Sequence, residues 1–140
     1  MGLFGTETKR RDYYDSISGP EMESLLKDSG FSCELTSDSR GEPMIKFYVE
    51  SFRSLIFFYK VEGGRAQSIQ FFAGFSAKPP VDQVNQWNRQ KRFGRAYLDK
   101  DNDVCLEMDV DLEGGVRPEY IGEALRTWRA LLVTFVGFMR

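Results

Sequence analysis

From Ser18 onward the apolar positions of the chain change period several times, and each change predicts an element. Ser18-Gly19-Pro20 combines a hydroxyl that can cap a helix with a proline suited to its first turn. Met22, Leu25 and Leu26 follow at helical spacing and Gly30 ends the run, predicting a helix over about 20–29. Alternation then takes over. Phe31, Cys33 and Leu35 share one face of a first strand, and Asp38-Ser39-Arg40-Gly41-Glu42-Pro43 is a turn. Ile45, Phe47 and Val49 alternate with Lys46, Tyr48 and Glu50 in a second strand. Leu55-Ile56-Phe57-Phe58-Tyr59 is apolar at every position, the pattern of a third strand that is central or covered on both faces. Glu62-Gly63-Gly64-Arg65 predicts a hairpin turn into a fourth strand carrying Ile69, Phe71, Ala73 and Phe75 on one face.

Lys78-Pro79-Pro80 stops the sheet and starts a second helix, with Val81, Val84 and Trp87 at helical spacing through about Arg92. Trp87 and Phe93 fit the buried side of this helix and of its exit. A fifth strand is expected over Arg95–Asp99 and a sixth over Val104–Leu112. Ala96 and Leu98 must share a face with Val104, Leu106, Met108 and Val110. A two-residue loop at Asp101-Asn102 would break that parity, whereas a three-residue loop or a bulge keeps it. After Glu113-Gly114-Gly115, Pro118 opens a third helix in which Ile121, Leu125, Trp128, Leu132, Phe135 and Met139 are spaced 4, 3, 4, 3 and 4. Its second half is apolar nearly all round, because Leu131, Val133, Val136 and Phe138 lie outside that stripe. Such a helix is buried on more than one side, under residues 1–17 or under a second subunit, which makes these four a candidate homodimer interface. The order α-ββββ-α-ββ-α predicts an α+β fold, an antiparallel sheet with helices packed on it. Residues 1–17 show no clear period and are expected to form an N-terminal arm to a single domain over 18–140.

Composition narrows the chemistry. A chain of 140 residues without a single His has no imidazole base, switch or metal ligand. Cys33 and Cys105 form no Cys-x-x-Cys pair and read as two reduced thiols of a cytoplasmic protein. A net charge of -2 excludes a globally basic nucleic-acid binder. The N-terminus has no apolar leader segment, and the longest apolar stretch, near residues 130–139, is too short to span a bilayer, so no membrane partner is expected. Gly2 and Thr6 match the spacing of a myristoylation start, a pattern that is cheap to match by chance.

Three clusters could carry chemistry. Asp99-x-Asp101-x-Asp103 resembles the start of a calcium loop, but Val104 and Val110 stand where the turn glycine and the bidentate glutamate belong, so an acidic hairpin turn is expected. Glu107, Asp109 and Asp111 project from one face of the sixth strand, with Arg95 across the hairpin to neutralise one of them. Arg89, Lys91, Arg92 and Arg95 interleave with Trp87, Phe93 and Tyr97, a basic and aromatic mixture that can stack on nucleic acid, although a solvated helix face fits a net acidic chain better. The two Gly-Gly turns lack phosphate-loop spacing. No catalytic residue, cofactor site or metal site is assigned.

Ser68-Ile69-Gln70-Phe71-Phe72-Ala73-Gly74-Phe75, Asn85-Gln86-Trp87-Asn88, Arg92-Phe93-Gly94-Arg95-Ala96-Tyr97-Leu98-Asp99 and Leu112-Glu113-Gly114-Gly115-Val116 together resemble the bacterial YbjN family, over roughly residues 18–139. The family is labelled sensory transduction regulators. The resemblance implies a fold like that of the type III secretion chaperones, which commonly dimerise, and it carries over no catalytic residues. It implies a non-enzymatic regulatory or protein-binding module, with a chaperone-like dimer for an effector peptide, or a small-ligand sensor, as alternatives. Asn85, Trp87, Asn88, Arg92 and Arg95 are the candidate binding residues. Asn85 and Asn88 lie three apart on one helix face and could hold a ligand or instead tie the helix to the loop entering the fifth strand.

Overall fold

The computed structural model describes residues 10–140. The glycine and threonine of the myristoylation-like start, and the first nine residues of the expected arm, lie outside the described residues. Strand β1 is the pair Ile17–Ser18, and helix α1 follows over Gly19–Asp28. Ser18 caps α1 as its hydroxyl suggests, in a reciprocal box: its Oγ accepts from the Glu21 N–H, and the Glu21 carboxylate accepts from the Ser18 N–H. Strands β2 (Cys33–Ser37), β3 (Pro43–Val49), β4 (Phe52–Glu62) and β5 (Arg65–Gly74) form an antiparallel meander. Gly63 and Gly64 have φ of 57° and 76°, the two positive values that a two-residue hairpin turn between Glu62 and Arg65 requires. Helix α2 (Val81–Gln90) leads into β6 (Arg95–Leu98) and β7 (Val104–Asp111), and α3 (Pro118–Met139) closes the chain.

The sheet order is β2-β3-β4-β5-β7-β6, all antiparallel, with β1 added beside β5 below the end of β7. The α+β fold is therefore as expected, with β1 as a further short strand. Ala96 pairs with Leu106 and Leu98 with Val104, which keeps all four on one face. The Asp99 N–H donates to the Asp103 carbonyl at 2.8 Å, so the loop is the three residues 100–102, with Asn102 at φ 63°.

One face of the sheet carries the core. Ile45, Phe47, Ile56, Phe58, Phe71 and Leu106 are fully buried there under Ile121, Leu125, Trp128, Leu132 and Phe135 of α3. Trp128 stacks on Phe71 at 5.7 Å, and its indole N–H donates to the buried Ser54 hydroxyl at 2.9 Å. Residues 10–17 run along the lower end: Tyr14 bridges to Val116, and Tyr14 and Ile17 are both fully buried. The opposite face differs from the pattern of β4. This strand is central, yet only its Ser54, Ile56 and Phe58 side is buried; Leu55 and Phe57 are half-buried and Tyr59 is exposed, because all the helices of the described residues pack on the other face.

Candidate functional site

The corner formed by α2, β6 and β7 gathers most of the residues singled out by sequence. β6 is an edge strand, and an edge leaves backbone groups unpaired. Asn88 closes it. Its side-chain amide donates to the Ala96 carbonyl and accepts from the Ala96 N–H, both at 2.9 Å, so one side chain imitates a neighbouring strand. Asn88 thus ties α2 to the sheet, while Asn85 is exposed on the outer side of the helix. Trp87 is fully buried, with its ring edge-on to Phe135 and Phe138 at 4.9 and 5.5 Å. Among the described residues its indole N–H has no hydrogen-bond partner.

β6 ends at Arg95, opposite Glu107. The Leu112 N–H donates to the Gln67 carbonyl and the Phe75 N–H to the Val104 carbonyl. Even-numbered residues of β7 therefore turn their backbone groups to β5, and odd-numbered ones turn theirs to the other edge. Glu107 still meets β6, but Asp109 and Asp111 lie beyond its end, on an edge that no strand of the described residues covers. Beside this edge runs a cleft of about 140 Å³ lined by Phe93, Met108, Val110, Tyr120 and Ala124. Phe93 is 70% exposed, contrary to the buried position expected from the sequence. The reason is its backbone: φ is 77°, a left-handed conformation costly for an aromatic residue, and it turns the ring outward. Arg92 stacks on that ring at 5.0 Å.

Arg95, expected to neutralise one carboxylate of the row, pairs with two of them, Glu107 and Asp109. Its guanidinium reaches Glu107 and Asp109 at 2.8 Å each, and the Tyr97 hydroxyl donates to Glu107 at 2.6 Å. Glu107 is only 8% exposed, so these bonds hold a carboxylate that would otherwise be costly to bury. Desolvation first, then the bond to Glu107, pushes the Tyr97 phenol well above its ordinary value. The row is a tethered ion cluster. In the acidic turn, Asp99 accepts the N–H groups of Asp101 and Asp103, and Asp103 pairs with Lys78 at 2.8 Å. Both cysteines are free. Burial, reinforced by Glu23 beside Cys33 and by Asp99 beside Cys105, raises both thiols and makes them poor nucleophiles.

Of the four apolar residues outside the stripe of α3, Phe138 packs on Trp87, and its carbonyl accepts from Gln83 of α2. Leu131 lies so close to Gly94 that a Cβ there would sit 2.9 Å from its methyl. Helix α2 and its exit thus cover part of this end from within the chain. Val136 is half-buried and Val133 is 40% exposed. The uncovered edge of β7 escaped the sequence reading because it depends on β6 stopping four residues short of the end of its partner.

The assembly is an α+β domain with its helices on one sheet face and a charge cluster and an open strand edge at one corner. The sequence profile of the YbjN family, described as "putative bacterial sensory transduction regulator", matches residues 20–139. The chain belongs to that family. No curated protein and no solved structure matches it. Among the described residues, no helix is long and apolar enough to cross a membrane.

Proposed function

We propose that this protein is a non-enzymatic regulatory module that works in the cytoplasm by binding another protein, and that it does so as a homodimer. The observation that carries the binding reading is Phe93, an exposed aromatic held in a strained backbone conformation beside the uncovered edge of β7. An extended peptide laid along Asp109 and Asp111 would continue β6, exchange backbone hydrogen bonds with the edge and place an apolar side chain in the cleft between Phe93 and Tyr120. Arg92 and Arg95 flank that path. The membership of a regulator family supports the same reading. The secretion-chaperone alternative uses this edge too, with an unfolded effector segment as the peptide.

A photo-crosslinking amino acid in place of Phe93, introduced in the native cell, tests the site. The expected result is a covalent adduct with a distinct protein, absent when the same group replaces the exposed Thr134 of α3. Adducts equal at both positions, or absent at both, overturn the edge as the binding site.

A further inference from the structure

The all-apolar pattern of β4 asks for two covers, and the described residues supply only one. The uncovered face is ordered by register. Across the sheet, Glu34 pairs with Lys46, Lys46 with Leu55, Leu55 with Phe72, Phe72 with Glu107, and Glu107 with Arg95. Read from edge to edge, this row is acid, base, apolar, apolar, acid, base. Its reverse is its own complement. Turned over about an axis between β4 and β5, parallel to the strands, Leu55 falls on Phe72, Lys46 on Glu107 and Glu34 on Arg95. Arg95 sits between Glu107 and Asp109, so that cluster stays net acidic toward an incoming lysine. One step along the strands, Arg53 falls on Gly74, which has no side chain to oppose it.

We propose that a second copy of this chain packs on the open sheet face about this two-fold axis, with the apolar centre at Leu55, Phe57 and Phe72 and ion pairs on both flanks. This rests on the homodimer reading and is independent of the β7 edge. Two sheets packed face to face lie about 10 Å apart, a spacing that interdigitated Leu and Phe side chains fill. With strands about 4.8 Å apart, six strands by three pairs of residues give a footprint of roughly 24 by 20 Å. Its corrugated surface is then of the order of the ~800 Å² per partner that a stable interface buries. Because the contact is isologous, each charge pair forms twice.

Sedimentation velocity at micromolar concentration reads the outcome. The wild type is expected to be a dimer. Leu55→Glu places a carboxylate at the centre of the face and should raise the dimer dissociation constant by about a hundredfold or more. Lys46→Glu lies on the solvated flank, leaves folding intact and should weaken the dimer about tenfold at low salt, less at high salt. Val133→Glu on α3 should change neither the dimer nor its salt dependence. A dimer that survives both face substitutions and dissociates with Val133→Glu overturns this face and keeps the homodimer. A monomeric wild type overturns both and leaves the crosslink at Phe93 to decide the binding edge.

Discussion

Two buried tryptophans differ in a single bond, and that difference sets their tolerance to substitution. Trp128 donates to Ser54, whereas the Trp87 N–H has no partner among the described residues. Trp87→Ala should cost about 3–5 kcal/mol of stability in urea unfolding, since it empties a site packed by Phe135 and Phe138. Trp87→Phe should cost only about 1–2 kcal/mol, a cavity with no hydrogen bond lost. Trp128→Phe adds to that same loss the desolvation of a stranded Ser54 hydroxyl, about 1–3 kcal/mol. Equal costs for the two Trp→Phe variants would show that the Ser54 bond contributes nothing. Tyr97 gives a pH signature. Its folded pKa lies above the unfolded value of about 10, so its contribution is complete below that pH and is lost as pH rises through the folded pKa. The unfolded chain ionises first, and the wild type should lose stability steadily above about pH 10. Tyr97→Phe should flatten that alkaline loss, as read from thermal midpoints across the range, and an unchanged slope would assign the loss to other groups.

At the level of elements, much of the architecture was legible because strand parity is unforgiving. The demand that Ala96 and Leu98 share a face with Val104 and Leu106 excluded a two-residue loop and left a three-residue loop or a bulge, of which the backbone adopts the three-residue loop. The stripe of α3 was equally plain, and Ile121 through Phe135 are the buried members. What periodicity could not show was the conformation of single residues. Phe93 reads as buried by spacing and is turned out by a positive φ. Lys60, also at positive φ, interrupts the alternation of β4, and Ala66, opposite the next residue Val61, is fully buried although out of phase with Ile69 and Phe71. Nor could periodicity show what a covering element covers. The crowded end of α3 called for a cover, and α2, only ten residues long, supplies part of it through Trp87 and Gln83. The short α2 is held at its far end by the Asn88 clasp on Ala96. Asn88→Ala should therefore cost about 1–3 kcal/mol, with faster amide exchange at Ala96 and in α2 than in β3 or β4. Protection that falls uniformly across the sheet would mean that the clasp acts on the whole fold and not on this corner.

For the whole molecule, the lower end of the sheet decides where the folded unit begins. The family match starts at residue 20, yet the chain before it is woven into the core. Tyr14 exchanges both backbone bonds with Val116, Ile17 pairs with Ala66, and both side chains are fully buried. A polar clamp reinforces them: the Glu21 carboxylate, 6% exposed, takes Arg65 at 2.8 Å and Arg11 at 3.0 Å, and Arg65 also bonds the hydroxyl and carbonyl of Ser16. Removing residues 1–17 would open two large cavities and leave Glu21 with half of its counter-charge, a combination that costs far more than trimming a solvated tail. Ile17→Ala isolates the packing part and should cost about 2–5 kcal/mol. Arg11→Ala removes a partly exposed partner and should cost about 1 kcal/mol or less. A chain truncated to begin at Ser18 should then unfold at a markedly lower temperature than one truncated to begin at Arg10. Identical midpoints for those two truncations would mean that residues 10–17 are an appendage and that the family-matched segment folds on its own.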